Sequence, residues 1–240
     1  MSEHNDILAN LRKTLAEEGI DSFHILEELV PIEEQLEFFR FFERVRREDA
    51  PFDRDEEISI LFSPDETIER KKLSLCRLAS IADVGAYRSI ETYHSSPLED
   101  ELKNWSAMAL VSSRIVLSSD LSGHQQIYIS SGLGGHENKL RFFALFTTVD
   151  RAPFTQLQKE IVEREFKFQL QLAGVEIEKF EIHDNYFTIL MLFPFDLDVK
   201  SCLNAAIDEC NQYGNFLDER YLFTNLKILS EKEIERLLSK

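Results

Sequence analysis

The chain has 240 residues, of which 43% are hydrophobic, and it contains only eight glycines and six prolines. A chain so poor in backbone breakers and so rich in aromatic residues is not disordered, and its length fits two domains of ordinary size. Its formal net charge is −17, which argues against a generic nucleic-acid surface and against binding to an anionic membrane. The acidity indicates solubility, or else a partner with a basic surface.

The three cysteines, Cys76, Cys202 and Cys210, are scattered and form no C-x-x-C pair. Their odd number and spacing predict reduced, buried thiols and a cytoplasmic location. Residues 1–18 mix charged and apolar side chains from the start, unlike a signal peptide. The longest apolar runs are far too short to cross a membrane.

Residues 1–118 show the apolar periodicity of α-helices and predict an all-α N-terminal domain. Gly19 indicates a helix end, whereas Pro31 and the Ser63-Pro64-Asp65 pattern indicate helix starts. The predicted helices cover residues 5–18, 31–48, 65–79, 83–94 and 97–116. Within the charged stretch 49–65, the segment EISILF gives a short strand signal.

Four phenylalanines widen the apolar face of the helix predicted at 31–48, namely Phe38, Phe39, Phe41 and Phe42. A face this wide is covered on more than one side, so we interpret the cluster as core between the first helices. In the alternative interpretation, Phe38, Phe41 and Phe42 line an exposed groove or a dimer interface.

The helical segment at about 65–116 resembles the HEAT-type repeats. Its stretch from Lys71 to Arg114 has an apolar helix, a turn carrying Asp83, a second helix carrying Arg88, and a further helix beginning near Trp105. In such repeats the aspartate and the arginine link neighbouring units, so the resemblance implies an α-α superhelix with Asp83 and Arg88 in those roles. Solenoids of this kind need several units to bury their faces.

After the polar linker 118–125 the periodicity changes, and residues 124–240 predict an α+β domain. Strands are predicted at 126–130, 140–149, 175–183, 186–193 and 220–226, and helices at 153–173, 198–213 and 230–239. From residue 140 the order is β-α-β-β-α-β, the ferredoxin-like plan. Its first and third strands are the most continuously apolar, as central strands should be. The extra strand 126–130 is expected to form a hairpin with 140–149.

A glycine-rich segment between the two strands is the candidate ligand site, formed by Ser131, Gly132, Gly134, Gly135 and His136. Successive glycines free backbone N–H groups that can cradle an anion. Phosphate loops, however, run from a strand into a helix, whereas this segment joins two strands, which favours a hairpin turn.

The six histidines form none of the spacings typical of metal sites, so we predict no metal and no cofactor. Some ferredoxin-like nucleases and transposases carry His-hydrophobic-His on a central strand and a tyrosine on a later helix. The segment from His183 to Phe187 is similar only in its first histidine. Tyr213 lies on a later helix, where its spacing predicts a core position. No catalytic residue is therefore assigned.

Three functions follow from these observations. The first is a non-enzymatic interaction protein that binds a protein partner, which a basic surface would suit, or a second copy of itself, and that binds no nucleic acid and no membrane. Its contact surface would be the edge strand 220–226 or the phenylalanine-rich helix. The second is a ligand-binding regulatory domain or enzyme with its site at 130–137, near the helix starts at 153 and 198. The third is a nucleic-acid enzyme of the ferredoxin-like kind.

Overall fold

The computed structural model describes residues 23–48, 50–123, 127–129, 131–137, 139–195 and 197–239. The helix predicted at 5–18 lies outside these residues. The described residues fall into two compact units, a helical unit within Ser22–Ser130 and a sheet unit within Ser131–Lys240. The protein is thus an α+β protein in which helices come first and an antiparallel sheet follows. No described helix is long and apolar enough to pass through a bilayer.

The helical unit contains five α-helices, one 3₁₀ turn and two short strands among its described residues. In chain order they are β1 (Phe23–Ile25), α1 (Ile32–Glu48), α2 (Arg54–Leu61), α3 (Ile68–Ala79), α4 (Val84–Ser95), the 3₁₀ turn Asp100–Leu102, α5 (Lys103–Ser122) and β2 (Ile127–Ile129). The predicted helices at 31–48, 65–79, 83–94 and 97–116 are therefore confirmed, with shifts of a few residues at their ends.

Side-chain caps explain where three of these helices begin. Asp53, Thr67 and Asp83 each accept a hydrogen bond from a backbone N–H in the first turn that follows. Such caps satisfy donors that have no partner inside the helix. Asp83 also pairs with Arg54, at 3.2 Å. The HEAT-like description of this segment remains a prediction.

The strand suggested by EISILF is wrong, because this segment forms most of α2. Glu57 on α2 is buried and accepts hydrogen bonds from Arg70, Ser74 and Arg77 of α3, at 2.6 to 2.9 Å. In the helix, Glu57 and Leu61 lie one turn apart, and both side chains are buried. These side chains therefore outweigh the weak strand propensity of the segment.

The core of the helical unit includes the phenylalanine cluster of α1. Phe38 and Phe42 are buried and stack at 5.6 Å, and Phe38 meets the edge of Trp105 on α5 at 5.3 Å. Phe41 is half-buried beside Trp105. Among the three phenylalanines considered as a contact surface, only Phe41 retains appreciable accessible area.

The expected hairpin between residues 126–130 and 140–149 is wrong. Strand β2 instead pairs in parallel with β1, in the register Phe23↔Ile127 to Ile25↔Ile129. No strong strand signal is visible at 23–25, because three residues are too few to show a period of two. The partner of β2 lies about 100 residues earlier in the chain, beyond the reach of local patterns.

The sheet unit contains five strands and three helices among its described residues. In chain order they are β3 (Gly135–His136), β4 (Lys139–Thr147), α6 (Gln156–Leu172), β5 (Glu176–Ile182), β6 (Tyr186–Pro194), α7 (Val199–Asn211), β7 (Leu222–Thr224) and α8 (Glu231–Leu238). Strand β4 pairs with β6 over nine residues, β5 continues beyond β6, and β3 and β7 pair with β4. The two apolar strands predicted at the centre, β4 and β6, are central.

Both faces of this sheet are covered in part. On one face Phe166 of α6 packs on Phe146 and Phe187, each at 4.9 Å between ring centroids. On the other face Ile234 of α8 packs with Phe143 and other apolar residues. Helix α8 therefore closes over a surface that a four-stranded sheet with two helices would leave open.

The core face predicted for α6 is partly wrong. Ile161 is buried as expected, but Leu157, Phe168 and Leu172 are 66%, 55% and 69% exposed. The buried face is formed instead by Ile161, Val162, Phe166 and Leu170. Because α6 carries apolar residues on two sides, its periodicity alone does not say which side meets the sheet.

Candidate functional site

The glycine segment lies against the connection between β7 and α8. A Cβ added to Gly132 would stand 1.8 Å from the carbonyl oxygen of Leu226, so only glycine fits there. The N–H of Leu133 donates to Asn225, and that of Gly134 donates to Ser131. These two N–H groups are therefore used inside the protein, and a role of residues 131–136 in ligand binding stays a prediction.

A different group of polar residues meets at one end of the sheet, where β5 ends and β6 begins. We call this group the His183 cleft. It is lined by one residue of α6, by the β5–β6 turn and by the end of α8. The lining residues are Lys159, Ile182, His183, Asp184, Asn185, Tyr186, Glu235, Leu238 and Ser239.

The turn that presents His183 is held by its neighbours. The N–H of His183 donates to the carbonyl of Tyr186 at 2.9 Å, which closes the turn. The side-chain amide of Asn185 donates to the carbonyl of Arg151, and the N–H of Phe154 donates to the carbonyl of Asp184. The loop before α6 thereby fixes the turn and places it beside Lys159.

Two aromatic rings stack inside the cleft. The rings of His183 and Tyr186 lie 4.3 Å apart between centroids and only 14° from parallel. Burial, together with the nearby Glu231 and Glu235 carboxylates, raises the pKa of Tyr186. The phenol of Tyr186 is therefore a neutral hydrogen-bond donor. The neighbouring ring of His183 is partly accessible to solvent.

The described residues include no cluster of three or more His, Cys, Asp or Glu side chains able to hold a metal ion. His183 has no second histidine beside it on β6. Tyr213 is 56% exposed, so its predicted core position is wrong, and it lies under the guanidinium of Arg164 at 5.5 Å. Position 213 follows the last turn of α7, where the helix no longer faces the sheet.

All three cysteines are free thiols; Cys76 and Cys210 are buried, as predicted, whereas Cys202 is half-buried. Burial raises the pKa of Cys76 and of Cys210 to about 12, and that of Cys202 to about 11. Thiols with such pKa values stay protonated near neutral pH and are poor nucleophiles.

The cleft was missed by the sequence reasoning. His183 was noted, but only against a His-hydrophobic-His pattern that it does not complete. The strands predicted at 175–183 and 186–193 leave Asp184 and Asn185 as the connection between them. Nothing in the sequence indicated that Lys159 and Glu235, from two different helices, meet that turn.

No protein-family description matches the chain, and no curated protein matches it. Among solved structures, it is similar to a protein assigned as a transposase from Deinococcus radiodurans R1, with 15% identity and a TM-score of 0.35 over 44% of this chain and 90% of that one. It is also similar to a REP-associated tyrosine transposase bound to a REP hairpin, with 11% identity and a TM-score of 0.33 over 42% of this chain and 63% of that one. Similarities this low assign no activity.

These matches correct two expectations. The interpretation as a protein-interaction adaptor is contradicted, because both structural neighbours are transposases. The exclusion of nucleic acid is contradicted as well, because one of them holds a REP hairpin. That exclusion was drawn from the net charge of the whole chain, which says little about a local site.

Proposed function

We propose that the protein binds an unpaired nucleic-acid base in the His183 cleft, at a single-stranded end or at the tail of a hairpin. The observation that carries the proposal is the stacked pair of His183 and Tyr186 in a polar cleft beside Lys159. Proteins that hold single strands stack bases on aromatic side chains, because every base has a flat π face.

The charges of the cleft support a base rather than a run of phosphates. Asp184 and Glu235 line it and repel phosphate groups. Carboxylates and amides accept hydrogen bonds from the amino groups on base edges. Lys159 supplies one cation, which suits the single phosphate that accompanies a single base.

The fold of the sheet unit is compatible with such a site. We propose that it follows the ferredoxin-like plan, supported by the strand order β7-β4-β6-β5 and by the sequence of elements from β4 to β7. Fold alone does not decide function, so the proposal stands on the cleft.

The test uses a fluorescent hairpin with a single-stranded tail and the same hairpin with a blunt end, measured by anisotropy at low salt. We expect the tailed hairpin to bind more tightly. The change His183→Ala should remove one stacking surface and weaken binding of the tailed hairpin by about 5- to 160-fold, since stacking contributes about 1–3 kcal/mol per base.

Two lysine variants form a matched pair: Lys159→Gln changes the cleft, and Lys200→Gln, on the exposed face of α7, is its control. The first should weaken binding of the tailed hairpin and the second should not. Equal binding of the tailed and blunt hairpins, or full binding by the His183→Ala variant, would refute the proposal.

A further inference from the structure

A row of arginines lies on the outer face of α1 in the helical unit. Arg40, Arg44 and Arg47 are all exposed and are spaced four and three residues apart. Residues with this spacing lie on the same side of a helix. We call these three residues the α1 basic stripe.

The stripe is partly pre-organised by aromatic rings. The guanidinium of Arg44 lies over the ring of Phe41, 4.5 Å from its centroid. Phe41 in turn meets Trp105 edge to face at 5.6 Å, so its own position is fixed by the core. A guanidinium stacked on a ring keeps its N–H edge free and loses less entropy when it binds.

Two carboxylates of α1 form ion pairs with cations outside the stripe. Glu43 pairs with Arg46 at 3.7 Å, and Glu37 pairs with Lys72 at 3.3 Å. Within the part of the chain that the structure describes, no hydrogen bond or salt bridge joins an arginine of the stripe to a carboxylate. Among the described residues, these three positive charges therefore have no carboxylate partner, in a protein whose net charge is −17.

We propose that the α1 basic stripe binds the phosphate backbone of the paired stem of a nucleic acid. The proposal rests on the function proposed for the His183 cleft, and it adds a second, sequence-independent contact. The three arginines are spread over about 10 Å of helix, and each guanidinium can contact one phosphate of the stem. Arginine is well suited to phosphate because it donates two parallel hydrogen bonds.

Salt dependence distinguishes this contact from base stacking. Each phosphate contact adds about 0.9 to the slope of log affinity against log salt concentration. The triple variant Arg40→Gln, Arg44→Gln and Arg47→Gln should therefore lower the slope for a tailed hairpin by about 2.7. Between 50 and 200 mM salt, wild-type affinity should then fall about 40-fold more than that of the variant.

The control variant carries the same loss of charge at exposed arginines elsewhere in the helical unit, namely Arg54→Gln, Arg88→Gln and Arg114→Gln. It should retain most of the wild-type slope. A second variant, with only Arg40→Gln and Arg47→Gln, leaves the stacking of Arg44 on Phe41 intact. It should lower the slope by about two, as expected for two phosphate contacts.

The outcomes separate the two proposals. If His183→Ala weakens binding while the stripe variants keep the wild-type slope, the inference about α1 is wrong and the cleft stands. If the stripe variants lose slope but tailed and blunt hairpins bind alike, the stripe stands and the cleft does not. If no hairpin binds at low salt, both are wrong.

Discussion

The change Glu57→Gln tests whether the buried ion cluster holds α2 against α3. Glu57 is only 2% exposed and accepts four short hydrogen bonds from Arg70, Ser74 and Arg77. Glutamine has almost the same shape but no charge, and its NH₂ group would point at a guanidinium. The variant therefore removes the charge without creating a cavity.

The expected loss follows from the exposure of the partners. Removing one member of a fully buried pair costs about 3–5 kcal/mol. The side chains of Arg70 and Arg77 are 26% and 22% exposed, so water solvates part of the charge that is left behind. We therefore expect the free energy of unfolding of the helical unit to fall by about 2–4 kcal/mol near pH 7.

The chain contains a single tryptophan, Trp105, which lies in the core of the helical unit. Urea denaturation followed by tryptophan fluorescence therefore reports on that unit. The exposed neighbour Glu56 provides the control, since Glu56→Gln should change the free energy of unfolding by less than about 0.5 kcal/mol. If Glu57→Gln changes it as little as Glu56→Gln does, the cluster does not stabilise the fold.

The pH dependence gives a second check on the same residue. Burial alone would raise the pKa of Glu57, but hydrogen bonds from Arg70, Ser74 and Arg77 lower it overall. A carboxylate with a lowered pKa in the folded state stabilises the fold fully above its unfolded pKa of about 4.3, and this stabilisation is lost as the pH falls through the folded value. The difference between wild type and Glu57→Gln should therefore shrink in acid below about pH 4.

Two further predictions concern the sheet unit, and far-UV circular dichroism during urea unfolding checks both. Gly132→Ala should destabilise the unit by about 1–3 kcal/mol or more, because its Cβ would overlap the carbonyl of Leu226; unchanged unfolding would mean that the loop is free to move. Phe166→Ala should lower the free energy of unfolding by about 3–5 kcal/mol, because the ring is fully buried. Phe168→Ala should lower it by less than about 1 kcal/mol, because more than half of that side chain is exposed. Equal effects of the two phenylalanine changes would contradict the orientation of α6.

The helices of the first unit could be predicted because their signals are local. Caps such as Thr67 and Asp83, and apolar residues at helical spacing, lie within a few positions of the turns they start. Helix α2 was missed because the group that decides its conformation, Glu57, is satisfied by side chains on α3. The segment EISILF, which begins at Glu57, carries a short strand signal, although the partners of Glu57 make that residue part of the core.

The order of the central strands was also predictable, since β4 and β6 are apolar on both faces. The covered second face was not predictable, because it depends on α8 folding back over the sheet. The same limit applies to the His183 cleft. His183 is visible in the sequence, but the cleft exists only where Lys159 of α6 and Glu235 of α8 come to the same end of the sheet.

The parallel pair of β1 and β2 brings together segments that leave the ribosome far apart in time. Phe23 cannot meet Ile127 until the intervening helices have been synthesised. Closing a loop of about 100 residues costs roughly 4 kcal/mol of chain entropy, so this pair should form late, after the helices between its strands have shortened the path. The pair sets the first and last strands of the helical unit side by side, so the two ends of that unit are adjacent. Adjacent ends are typical of a unit that can be inserted into, or removed from, another chain as one piece.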